Sequence, residues 1–205
     1  MKFAWRTARA CHQIVTARAE HGGMKQAHIL ELFRAKGDLA YEGEGISQIA
    51  HGWQCGQLAL QAGASVELQL ASWLHDIGHL LSDLQGTPTL QGMDDRHENT
   101  GADLLETIWG PAVSEPVRLH VAAKRYLVAT YPAYRARLSE DSLRSLALQG
   151  GPMAVDECVR FQAGPYALDA QQLRSWDDSG KRLGWFARDN AQALDQLQAL
   201  MAQLN

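Results

Sequence analysis

Residues 66–81 read VELQLASWLHDIGHLL, and this stretch decides the fold. Val66, Leu68, Leu70, Ala71, Trp73 and Leu74 leave little room for a polar face, so the spacing predicts a buried helix running from Val66 to Leu81. In its middle stand His75 and Asp76, followed by His79. An aspartate buried beside a histidine in an apolar helix is unfavourable without a compensating charge, so this pair asks for a cation. Neighbours on a helix point roughly 100° apart, yet both can meet metals in one cavity if the two oxygens of Asp76 bridge two ions.

Working outward, single histidines recur at gaps of about one helix plus a turn: His51 before the pair, His97 and His120 after it. The spacing is too long for a zinc finger and contains no thiolate pair. It suits a helical bundle that points one ligand inward from each of several helices. His51 and His75 could serve one ion, His97 and His120 the other. A second carboxylate is expected late in the chain, and Asp177, after Trp176, is the best candidate. A donor set of nitrogen and oxygen suits Fe, Mn, Mg or Zn.

The remaining segments also read as helices. Ala27–Gly37 is a short amphipathic helix, and YEGEG at 41–45 is a Gly-broken loop. Ile46–Ala62 carries His51. A loop at 82–95 leads to a helix opened by His97 and stopped at Gly110-Pro111. Ser114 is the expected N-cap of the helix carrying His120 and Lys124, with Pro116 in its first turn. Ser139 should cap the next helix and Asp169 a later one. Leu194, Leu197, Met201 and Leu204 form an apolar stripe on a terminal helix. No segment alternates as a strand should, and the expectation is a single all-α domain over 24–205. Residues 1–23, rich in Arg and Ala, read as an N-terminal extension, with Met24 as a natural start.

The 205 residues are enough for one sizeable core. A net charge of −4 with no basic stripe argues against nucleic acid, and no apolar run is long enough to span a membrane. Three scattered cysteines argue against a disulfide framework and for a reducing cytoplasm.

Several stretches then point further: YEGEGISQIAHGWQC (41–55), WLHDIGHL (73–80), HENTGADLL (97–105), HVAAKRYLV (120–128), LQGGPM (148–153) and SWDDSGK (175–181). Together they resemble the HD-domain superfamily and, more narrowly, its di-iron oxygenases of organophosphonate catabolism. The resemblance spans about Leu39 to Lys181. It implies an HD-domain helical bundle with a mixed-valent Fe(II)/Fe(III) pair and O2 as co-substrate. One iron would be held by His51, His75, Asp76 and Asp177, the other by Asp76, His97 and His120. Tyr41 would be a displaceable ligand of the second iron, and Glu44 would pair with a substrate ammonium. Lys124, Ser142 and His79, with Arg174 as a helper, would bind the phosphonate. The implied reaction is oxidative cleavage of the carbon–phosphorus bond of a 1-hydroxy-2-aminoethylphosphonate, giving inorganic phosphate and glycine, or glycine betaine from the trimethylammonium analogue. The same metal ligands would also serve a two-metal phosphohydrolase acting on a phosphate ester, or a metal-stabilised sensor without turnover.

Overall fold

The computed structural model describes residues 26–41, 44–82 and 88–204. The expected extension at 1–23 lies outside the described residues. Helix α1 covers 26–36. A two-residue antiparallel ladder follows, β1 (Ala40–Tyr41) paired with β2 (Ile46–Ser47), with Tyr41 opposite Ile46. Then come α2 (Gln48–Gln61), α3 (Val66–Leu74) and α4 (Ile77–Leu81). After a 3-10 turn at Pro88–Gln91 come α5 (His97–Trp109), α6 (Pro111–Thr130), α7 (Pro132–Arg135), α8 (Glu140–Leu148), α9 (Val155–Gln162), α10 (Ala167–Ser179) and α11 (Asn190–Met201). The expected all-α bundle is the observed fold class, with that ladder as its only sheet among the described residues.

The core packs Ile29 and Phe33 of α1 against Ile49 of α2, Leu70 and Leu74 of α3, Leu105 of α5, Val117 of α6 and Leu173 of α10. The α11 stripe falls where the sequence puts it: Leu194, Leu197 and Met201 are buried in the same core. Close helix crossings depend on glycine. A Cβ on Gly78 would sit 2.0 Å from the carbonyl oxygen of His97, and one on Gly56 would sit 2.2 Å from the Trp73 ring. Both contacts are far inside van der Waals range, so α4 meets the start of α5, and α2 meets α3, only with glycine there.

Four local expectations are corrected, the first being the helix expected from Ile46, which starts only at Gln48 because Ile46–Ser47 form β2 against β1 where no strand was expected. The helix expected over 66–81 breaks: α3 ends at Leu74, and α4 starts at Ile77 after Asp76 at φ −99°, ψ 11°. The break frees His75 and Asp76 from the fixed divergence of helical neighbours. Ser114 does not cap α6, because the helix already begins at Pro111 after Gly110 at φ 75°, a conformation glycine adopts without strain. Asp169 lies in the first turn of α10 rather than before it, where its charge still faces the positive helix end. Ser139 does cap α8, its hydroxyl accepting from the Ser142 amide at 3.2 Å.

Candidate metal centre

Four helices and the α3–α4 junction deliver the expected ligands to one buried place. His51 comes from α2, His75 and Asp76 from the junction, His97 from the first turn of α5, His120 from the middle of α6 and Asp177 from the last turn of α10. Asp76 stands at the centre. Its Oδ2 lies 3.2 Å from His75 Nε2 and 3.5 Å from His51 Nε2, while its Oδ1 lies 3.4 Å from His97 Nε2 and 3.8 Å from His120 Nε2. One carboxylate thus faces one histidine pair with each oxygen. Asp177 Oδ1 closes the first set at 3.3 Å from His51 Nε2.

The tautomers follow from the other ring nitrogens. His51 Nδ1 donates to the Gly180 carbonyl at 2.9 Å, His75 Nδ1 to Ser72 at 3.0 Å and His120 Nδ1 to Val117 at 2.7 Å. His97 Nδ1 donates to Asp95 Oδ1 at 2.9 Å. A carbonyl or carboxylate can only accept, so Nδ1 carries the proton and a neutral ring turns its Nε2 lone pair inward. The Nε2 atoms of His51 and His75 face each other at 3.2 Å, and so do those of His97 and His120. Two lone pairs at that distance repel unless a cation lies between or beside them.

Electrostatics agrees. Burial alone would depress His75, but Asp76 and Asp177 override it and push it up to about 10, so without a metal its Nε2 takes the proton that stands in for a cation there. Burial and the charges of His97 and His75 hold His120 well below the usual histidine range, so it is a neutral, ligand-ready ring. Asp177 Oδ1 is buried with no hydrogen-bond partner, while its Oδ2 takes an Arg174 guanidinium nitrogen at 2.6 Å. An orphaned carboxylate oxygen, inward lone pairs and a demand for positive charge fit two metal ions, one at His51, His75, Asp76 and Asp177, the other at Asp76, His97 and His120. Cys55 reaches the first corner, 3.8 Å from His51 Nε2. Burial pushes its thiol well up and the thiol points to the Trp176 carbonyl at 3.7 Å, so Asp177 is the better fourth ligand.

A cavity opens from the second set, lined by Tyr41, Asp76, His79, Asp95, His97, His120, Lys124, Ser142, Arg174 and Lys181 among others. Tyr41 stacks on the His51 ring at 3.9 Å, and its phenol is held well above its ordinary value by burial and by the Asp76 and Asp177 charges. Lys124 is 3% exposed and donates to Ser145 Oγ at 2.7 Å. Burial, then repulsion from Arg174, lowers it to about 7. The Arg174 side chain is spent on Asp177, Asp178 and the Tyr134 hydroxyl. Glu44 does not line the cavity: Lys181 Nζ lies 3.1 Å from Glu44 Oε1 and stands on the cavity side of the pair.

Three residues of the candidate site have no place in the sequence reading. Asp95 accepts from His97 with one oxygen and from His79 Nδ1 with the other at 2.7 Å, so the two rings stack at 4.0 Å. Against its partial burial, these imidazoles hold Asp95 far below the usual carboxylate range. Its signal is the spacing D-x-H, which a helix-based search does not weigh. Lys181 and Ser145 carry no sequence signal beyond their neighbours Asp177 and Ser142.

Fold and donor set together describe an all-α bundle whose buried histidines and aspartates could hold metal. No protein-family model matches the chain. It is 41% identical over 152 residues, covering 74% of this chain and 77% of the relative, to the glycine-betaine-forming 1-hydroxy-2-(trimethylamino)ethylphosphonate dioxygenase of Leisingera caerulea. It is 39% identical over 163 residues, 79% of this chain and 81% of the relative, to the hydroxymethylphosphonate dioxygenase of Gimesia maris. An uncharacterized protein of Acanthamoeba polyphaga mimivirus is 34% identical over 157 residues, 76% and 72% of the two chains. The chain belongs to the phosphonate dioxygenases. No helix among the described residues is long and apolar enough to cross a membrane.

Proposed function

We propose that this protein cleaves the carbon–phosphorus bond of a 1-hydroxyalkylphosphonate with O2. The observation that carries the reading is the Asp76 carboxylate shared between two histidine pairs, one of which faces a cavity carrying Lys124, Ser142 and His79. The two named relatives act on substrates of this class, which supports it. The balance is one 1-hydroxyphosphonate plus O2 giving one carboxylic acid plus inorganic phosphate. 2-Amino-1-hydroxyethylphosphonate would yield glycine and its trimethylammonium analogue glycine betaine.

The metal we assign is iron: His51, His75, Asp76 and Asp177 would hold one ion, and Asp76, His97 and His120 the other, with Tyr41 as a displaceable ligand of the second. Iron bound there supplies O2 activation, which a carbon–phosphorus bond needs because water does not displace it as it does an ester. The rest falls to the chain's own groups. The Lys124 ammonium and the Ser142 hydroxyl are donors suited to a phosphonate dianion, and His79, fixed by Asp95, adds a ring nitrogen. Arg174 holds Asp177 in place rather than reaching for substrate. Burial of Lys124 and Ser142 keeps bulk water away from the phosphonate.

The test is phosphate release by Fe(II)-loaded protein from 2-amino-1-hydroxyethylphosphonate, the trimethylammonium analogue and hydroxymethylphosphonate, with air and without. Release only with air, with 18O from O2 in both products, is expected. Oxygen-independent release from a phosphate ester, with no phosphonate turned over, would instead identify a phosphohydrolase.

A further inference from the structure

We propose that Lys181 is the head-group specificity residue of this cavity, favouring 1-hydroxyphosphonates without a cationic head, of which hydroxymethylphosphonate is the smallest. The inference rests on the activity proposed above and narrows its substrate. A primary ammonium is recognised by a carboxylate, and a trimethylammonium by aromatic faces. Tyr41 lines the cavity, Glu44 lies behind Lys181 outside the lining, and Lys181 engages both. Its Nζ lies 3.1 Å from Glu44 Oε1 and 5.4 Å from the centre of the Tyr41 ring. Tyr41 also stacks on His51.

Other aromatics do not replace them. Tyr131 is exposed, Tyr134 gives its hydroxyl to Asp178, and Trp53 packs against Trp185 and Phe186; none of the three lines the cavity. The remaining carboxylates are committed too. Asp76 and Asp177 face the histidine pairs, Asp95 holds two imidazoles, and Asp141 takes Thr89 and Arg144. Asp94 lies on the exposed rim. The Lys181 ammonium therefore already occupies the carboxylate and the aromatic face that a cationic head could otherwise use.

The position of Lys181 is fixed by the centre itself. The preceding Gly180 carbonyl accepts from His51 Nδ1, so the backbone at 180 is tied to a ligand ring. The ion pair is largely shielded from solvent, with side-chain exposures of 13% and 18%, so a second cation beside it is poorly screened. Lys181 lines the same cavity as Lys124. The two named relatives differ in this respect, one named for a substrate with a trimethylammonium head and the other for one with no head.

The experiment compares kcat/KM for hydroxymethylphosphonate and 2-amino-1-hydroxyethylphosphonate, with anaerobic binding of each to the Fe(II)-loaded protein. The wild type is expected to favour hydroxymethylphosphonate by about tenfold or more, the range a pocket of fixed chemistry commonly achieves. Lys181→Met should shift that ratio toward the ammonium-bearing substrate by at least about tenfold, mainly through KM, whereas Lys181→Arg should keep the wild-type preference. A wild type that prefers the ammonium-bearing substrate overturns the proposal even if Lys181→Met does not fold. So does a folded Lys181→Met with an unchanged ratio. If no phosphonate yields phosphate in air, the proposed activity fails, and the anaerobic binding ratios still decide the role of Lys181.

Discussion

The two halves of the metal constellation share Asp76 but are built differently. His51 and His75 are fully buried, Asp177 nearly so, and the imidazoles are oriented by the backbone carbonyls of Gly180 and Ser72. Four protein donors converge there, and Tyr41 covers the His51 ring. The other half has three donors, opens to the cavity and relies on a side chain, Asp95, to orient His97. A site closed by protein donors holds its ion, whereas one with fewer donors and an open side leaves positions for substrate. On the proposed assignment, the asymmetry would give ion retention to the first half and substrate binding to the second, with Asp76 coupling them.

Breaking the bridge should have the largest effect. Asp76→Asn leaves an amide that cannot serve both ions as a carboxylate does, so activity should fall to background and metal content should drop below two ions per chain by elemental analysis. Asp177→Asn should weaken only the closed half, leaving the open one its three donors.

A smaller effect should separate the halves from outside the ligand set. Asp95→Asn keeps the size of the side chain but weakens its hold on His97 and His79, and such changes commonly lower metal affinity or activity by about 10–100-fold. The loss should be confined to one of two metal-binding steps in a calorimetric titration. Equal weakening of both steps would erase the distinction.

The smallest effect concerns pH. Lys124 falls from its ordinary value to about 7 through burial and Arg174, so its ammonium is lost as pH rises through 7. If that ammonium binds phosphonate, KM should rise several-fold between pH 7 and 9, and Lys124→Arg should flatten the profile. Folding carries the matching sign. Between about 7 and 10.5 the unfolded chain binds a proton that native Lys124 does not, so this residue makes the protein more stable as pH rises across that window.

The histidines and carboxylates that the fold brings together were legible from their regular spacing, and His51, His75 and His120 also from their apolar neighbours. The helix break at His75–Asp76 was not legible: the apolar run is continuous through it, and only the approach of the His97 backbone to Gly78 shows why two helices meet there. The start of α6 was misplaced because Ser114 resembles a cap, while the positive φ of Gly110 governs. Lys181 was not legible because its contact with Glu44 spans 137 residues of sequence, while Asp95 is marked only by the short D-x-H spacing. Sequence patterns register periodic neighbours far better than such pairs.

The most direct measurement is anaerobic titration of Fe(II) into metal-free protein, followed by Mössbauer spectroscopy after partial oxidation. A shared Asp76 predicts two irons per chain in two distinct environments, magnetically coupled through the carboxylate. One iron per chain, or two without coupling, would contradict the bridged centre.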